Sequence, residues 1–136
     1  MDRLSAFMGL LIHRPFVWGF RDCVTVPADW VLSCTGKDPA ADLRLTYDDV
    51  ASCQRATRFF TDPLAVVGPR MQACGLARTD DFARGDVGLI RLAAEDGTGA
   101  HGAICLGGIH WAAKKQDRGI VVIERPEIIA GWRVPL

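Results

Sequence analysis

PFVWGFRDCVTVPADWV, residues 15–31, is the stretch on which the reading of the chain turns. Turn-like residues run to Asp22. From there Cys23, Pro27, Trp30, Val31 and Cys34 recur at three-to-four spacing, the mark of one apolar helix face. Pro27 limits where that helix can begin. A proline in a helix interior costs about 3 kcal/mol, whereas the first amide hydrogens of a helix have no internal partner to lose. Asp22 and Pro27 together therefore place the helix N-terminus at or next to Cys23, with Gly36 as the C-cap. The positive end of a helix favours thiolate over thiol. Cys23 thus reads either as a small buried hydrophobe packing the helix start or as a nucleophile.

Outward from this helix, MDRLSAFMGLLIHRP (1–15) carries Leu4, Phe7, Met8 and Leu11 at helical spacing, a core-facing stripe. Its apolar run, 6–12, is short and lacks a basic lead and an A-x-A site, so it reads as a helix and not a signal peptide. No segment is long enough to cross a bilayer. A third helix is expected over Tyr47–Arg58, with Thr46 and Asp49 as a capping box. A fourth opens at Asp62-Pro63 and turns Leu64, Val67 and Met71 inward; Gly68-Pro69 should interrupt or kink it, and Gly75 ends it. After about residue 85 the pattern becomes extended. Strands are expected at 86–92, 100–106, 109–114 and 119–124, with a short last one at 131–134. EDGTG (95–99) reads as a turn, and Gly107-Gly108 as a two-residue hairpin turn. Helices followed by an antiparallel sheet make an α+β chain, a single domain over 1–136 with N-terminal helices packed on a C-terminal sheet.

Composition narrows the function. The chain of 136 residues balances 16 basic against 16 acidic side chains, which gives no charge drive toward nucleic acid or an anionic membrane. Cys23, Cys34, Cys53, Cys74 and Cys105 contain no CxxC pair, and none of the three histidines supplies a CxxH. That argues against structural zinc, and no metal or cofactor is expected. An odd cysteine count argues against a disulfide framework and for a reducing compartment. Of the histidines, His13 ends the first helix, a C-cap or surface position. His101 opens a strand among Gly99, Ala100, Gly102 and Ala103, small residues that let another backbone or a ligand approach.

VWGFRDCV, RGDVGLI and HGAICLGG, in that order, resemble the YxxGG…DCSGF, PGDLVFF and HVGIYLGNG segments of the NlpC-type cell-wall endopeptidases. The resemblance runs from about residue 15 to 134. The short layout also looks like a compact relative from phage and prophage genomes. It implies a papain-like fold, Cys23 as nucleophile, His101 as general base, and the Cys23 amide in an oxyanion hole. The implied substrate is an amide bond in peptidoglycan stem peptides, attacked by acyl transfer to sulfur and then hydrolysis. Val24-Thr25 stand where that family has Ser-Gly, and of its glycine pair Gly19 remains. The implied place of action is the cytoplasm or a phage particle, with phage tail proteins as candidate partners. Trp18, Trp111 and Trp132 read as packing or cleft wall, Asp22 as a cap, and Arg84-Gly85-Asp86 as a turn at a strand entrance.

The family orients its base with a polar residue on the following strand, and the IHW motif points to His110. A two-residue turn at Gly107-Gly108 would oppose Cys105 to His110, Ala103 to Ala112 and His101 to Lys114. That register puts His101 and His110 on one face, roughly 14 Å apart at about 3.4 Å per residue. The orienting group is therefore His110 in an irregular turn, a water, a residue elsewhere, or absent. Two other classes stay open: a structural or tail-assembly protein that keeps the fold without the activity, and a thiol-dependent amidase or acyltransferase acting on a small substrate. The hydrolase reading requires the Cys23 sulfur and the His101 ring to meet in a cleft open to solvent.

Overall fold

The computed structural model describes residues 1–92 and 99–136. Most of the turn expected at 95–99 lies outside the described residues. Among the described residues four helices, α1 (Arg3–Leu11), α2 (Thr25–Thr35), α3 (Val50–Thr57) and α4 (Pro63–Ala73), precede five strands, β1 (Val87–Arg91), β2 (Ala100–Gly107), β3 (His110–Lys114), β4 (Ile120–Glu124) and β5 (Glu127–Trp132). The sheet is antiparallel and ordered β4-β3-β2-β1-β5. The chain is therefore α+β, helices first, as its periodicities imply. Among the described residues no helix is long and apolar enough to cross a membrane.

The connectivity forces the sheet to curl. β4 and β5 lie at opposite edges, yet only residues 125–126 join them. Four flat inter-strand gaps would span about 19 Å, while three Cα–Cα steps reach at most about 11 Å. Curling resolves the conflict and creates two cores. On the outer face the helices bury Leu4, Met8, Leu11, Trp30, Val31 and Phe59 against Val87, Leu89, Ile104 and Trp132. Each large side chain so buried contributes about 1.5–3 kcal/mol. On the inner face Ile90, Ala103, Cys105, Trp111 and Ala113 form a second cluster with Phe82, Val121, Ile123 and Ile128. Gly88 and Gly131 make that inner packing possible. A Cβ on residue 88 would meet the Trp111 ring at 2.9 Å, and one on residue 131 would collide with Phe82.

Local signals explain most boundaries. Asp2 caps α1 by accepting from Ser5 N at 2.8 Å, and Arg84 ties that cap to the sheet by donating to Asp2 and, at 2.7 Å, to Leu106 O. Gly36 closes α2 in the left-handed region, φ 76°. α4 starts at Pro63 and runs through Pro69 to Ala73, so the interruption expected at Gly68-Pro69 does not occur. Two boundaries also differ from expectation. α3 begins at Val50, not Tyr47, because its capping box pairs Asp49 with Ser52 rather than Thr46 with Asp49. The last strand begins at Glu127, not 131.

The β2–β3 register differs from the two-residue-turn expectation by one place. The pairs are Ile104 with Ala112, Cys105 with Trp111, and Gly107 with His110, with a bulge between Cys105 and Gly107. An extra residue on one strand switches the face of everything beyond it. His110 therefore alternates with Ala112 on the outer face, whereas His101 alternates with Ala103 on the inner one.

Candidate active site

Asp22 organises the site. Its carboxylate accepts from Gly19 N (2.8 Å), Val24 N (2.8 Å), Thr25 N (2.9 Å) and the Tyr47 hydroxyl (2.7 Å). Thr25 answers through its hydroxyl, which accepts from Asp22 N at 2.9 Å, a reciprocal capping box written D-C-V-T. Regular helix is counted from Thr25, but its hydrogen bonds begin at Asp22, whose carbonyl accepts from Val26 N at 3.0 Å. Cys23 thus occupies the first turn of α2, as the position of Pro27 implies. Gly19 is held at φ 82°, where a Cβ would strike the Tyr47 carbonyl, so this turn needs glycine.

Pro27 does more than mark a helix start. Having no amide hydrogen, it leaves the Cys23 carbonyl without its helical partner. That carbonyl is taken by β2: Gly102 N–H donates to Cys23 O at 3.0 Å. Gly102 is the residue that permits this approach. A Cβ there would collide with Cys23 O and stand 2.8 Å from Cγ of Pro27. The structure therefore brings the backbones of Cys23 and His101 together, one peptide unit removed from a direct hydrogen bond. Alternation sends the His101 side chain to the inner face, opposite Ile90 of β1.

The expectation of an open cleft is not met in this conformation. Cys23 keeps 3% of its surface exposed and His101 7%. Cys23 also lines an apolar cavity of about 30 Å³ with Pro27, Ala40, Leu43, Phe59 and Val67. That is room for about one water and far less than a peptide substrate needs.

His110 is not brought to this pair. It stands exposed at the turn end of the hairpin, its Nε2 3.8 Å from Glu124 Oε1. Continuing the observed register, Ala113 takes the place beside Ala103 on the His101 face, so β3 offers no polar side chain there. His110→Ala is accordingly expected to change stability by less than about 0.5 kcal/mol and to leave Cys23 alkylation unchanged, as read by urea melting and mass spectrometry. Lys114, expected to face His101, is buried and donates through Nζ to Gly119 O at 2.7 Å and to Lys115 O and Asp117 O at 3.3 Å. Burial pushes its amine down. It ties the 115–119 loop that borders the site.

Burial pushes Cys53 up to about 11, and raises Cys105 and Cys74 as well. Tyr47 is the residue that the sequence reading missed. Placed inside a helix by its spacing, it lies before α3 and points into the core. Burial, with the Asp22 charge behind it, pushes its phenol far up, so it remains a hydrogen-bond donor. The D-x-x-T box at 22–25 was the available signal for the Asp22 hub; nothing local marks Tyr47. Among the described residues no cluster of histidine, cysteine and carboxylate groups could hold a metal ion.

No curated protein and no solved structure matches the chain. One family model matches residues 1–134, nearly the whole length, and the chain belongs to that family, described as a domain of unknown function (DUF6950).

Proposed function

We propose that the protein is a cysteine hydrolase of papain-like, NlpC-type architecture that cleaves a peptide or amide bond, with Cys23 as nucleophile and His101 as base. The observation that carries this reading is the Gly102–Cys23 backbone bond. It docks the histidine-bearing strand on the first turn of the cysteine-bearing helix, in the order the motif resemblance implies. His101 would take the thiol proton. The thiolate would attack the carbonyl carbon, and water would release the acyl group from sulfur. The Cys23 amide, in the first turn of α2, would aim at the oxyanion. His110 has no part in this scheme. Stem peptides of peptidoglycan are the proposed substrate, by resemblance.

The test is site-resolved alkylation by iodoacetamide at pH 7. Cys23 is expected to react at least about tenfold faster than Cys34, the half-exposed thiol of the same helix. His101→Ala should slow Cys23 by roughly 10²-fold, the lower range for a general base. Digestion of purified peptidoglycan with fragment analysis then separates a stem-peptide hydrolase from an amidase acting on a small substrate. The burial of both residues favours a second reading, a structural or phage-tail assembly protein of the same architecture. Uniform sluggishness of all five thiols would decide for it.

A further inference from the structure

Beside the site, but independent of Cys23, lies a surface that suits a partner. Leu10 is 60% exposed, Phe20 51% and Leu45 77%. Leu10 and Phe20 line one concavity of about 290 Å³ with Phe7, Arg14, Arg21 and Arg44, between the end of α1 and the first turns of α2. Leu45 adjoins it, since its amide donates to Gly19 O at 2.8 Å. Exposed large apolar side chains gathered in one place mark an interaction surface rather than scattered chance. Aromatic and arginine side chains together are the composition of binding hot spots.

The charges choose the partner. Arg44 is neutralised by Asp29 and Asp38, each at 2.8 Å. The Arg21 guanidinium donates to the Pro15 carbonyl at 3.1 Å and stacks over Phe20, 4.9 Å from the ring centroid. Arg14 forms no ion pair with a carboxylate among the described residues. Asp29 lines the groove too, so the three arginines set against Asp29 and Asp38 leave an excess of one positive charge, on the Arg14 and Arg21 side, on a chain whose net charge is zero. A second copy docking through the same patch would set arginine against arginine, which disfavours self-association. An anionic membrane needs a protruding face, and this one is concave.

We propose that this groove binds an acidic segment of a partner polypeptide, with apolar side chains over Leu10 and Phe20 and carboxylates on Arg14 and Arg21. The reading holds whether or not Cys23 is a nucleophile.

The test uses the whole protein and a fluorescein-labelled twelve-residue peptide of repeated Glu-Glu-Leu-Leu, with its Lys-Lys-Leu-Leu counterpart as control. Binding is followed by anisotropy and located by backbone amide shifts in NMR spectra. The acidic peptide is expected to bind at least about tenfold more tightly than the basic one and to shift the amides of Leu10, Arg14, Phe20 and Arg21. Arg14→Glu and Phe20→Ser, both exposed positions, should each weaken it about tenfold, and Cys23→Ala should change nothing. No binding, shifts elsewhere, or insensitivity to both variants would overturn the proposal. So would phosphatidylserine vesicles binding with the same response to the variants, or a protein dimer that Phe20→Ser dissolves.

Discussion

Gly102→Ala is expected to remove about 3 kcal/mol of stability and to disconnect the two halves of the proposed site. The new methyl group would meet Cys23 O and Pro27 Cγ, a backbone atom and a ring atom, neither of which can swing aside. Overpacking of this kind costs about 1–3 kcal/mol. The strand can yield only by retreating, which breaks the Gly102–Cys23 bond and leaves a buried carbonyl unmet, at a further cost of about 1–3 kcal/mol. Against a typical total of about 5–15 kcal/mol the variant should still fold. Its melting point should fall by roughly 10 °C, and Cys23 alkylation should lose its dependence on His101. Pro27 supplies the control. Pro27→Ala removes the ring and restores an amide hydrogen that competes for Cys23 O, so the two substitutions share one contact. Their effects on stability should fall short of additive by about 1 kcal/mol. Full additivity in urea melts would show that Gly102 acts through some other neighbour.

The sequence carried these parts unequally. The first turn of α2 was legible because Asp22 and Pro27 are local signals with one consistent meaning, and the structure uses both. Gly102 was legible as a place of close approach, though not what would approach it. The hairpin was legible as a hairpin, but Gly107-Gly108 specifies a turn and not a register, and one bulged residue sent His110 to the outer face. The curl of the sheet was invisible. It follows from β4 and β5 lying at opposite edges with two residues between them, and strand order is settled by packing far along the chain. Tyr47 was misplaced for a related reason. Its spacing fits α3, but the Asp49–Ser52 box starts that helix later, which frees Tyr47 to reach a carboxylate 25 positions upstream. The burial of Cys23 and His101 is set by packing between segments far apart in the chain, and no local pattern records that.

Asp22→Ala should be the most damaging single change at the site. The carboxylate is fully buried, and its removal strands the amides of Gly19, Val24 and Thr25 and the Tyr47 hydroxyl. Losing a helix cap alone costs about 0.5–2 kcal/mol. Each buried donor left unmet adds about 1–3 kcal/mol unless water enters. A loss of about 4 kcal/mol or more is expected, enough to leave a marginal domain partly unfolded at 37 °C. Asp22→Asn separates the contributions. Its remaining oxygen can still accept from Val24 and Thr25, while its amide nitrogen turns two hydrogens toward Gly19 N–H and Tyr47. The hydroxyl can rotate and accept; the Gly19 amide cannot. About half the loss is therefore expected, and Tyr47→Phe, which removes the hydroxyl, should recover little of it. Urea melts of the three variants give the order directly. If Asp22→Asn proved as stable as the parent chain, the Gly19 turn would not depend on the carboxylate. Cys23 would then owe its place to the Gly102 contact alone.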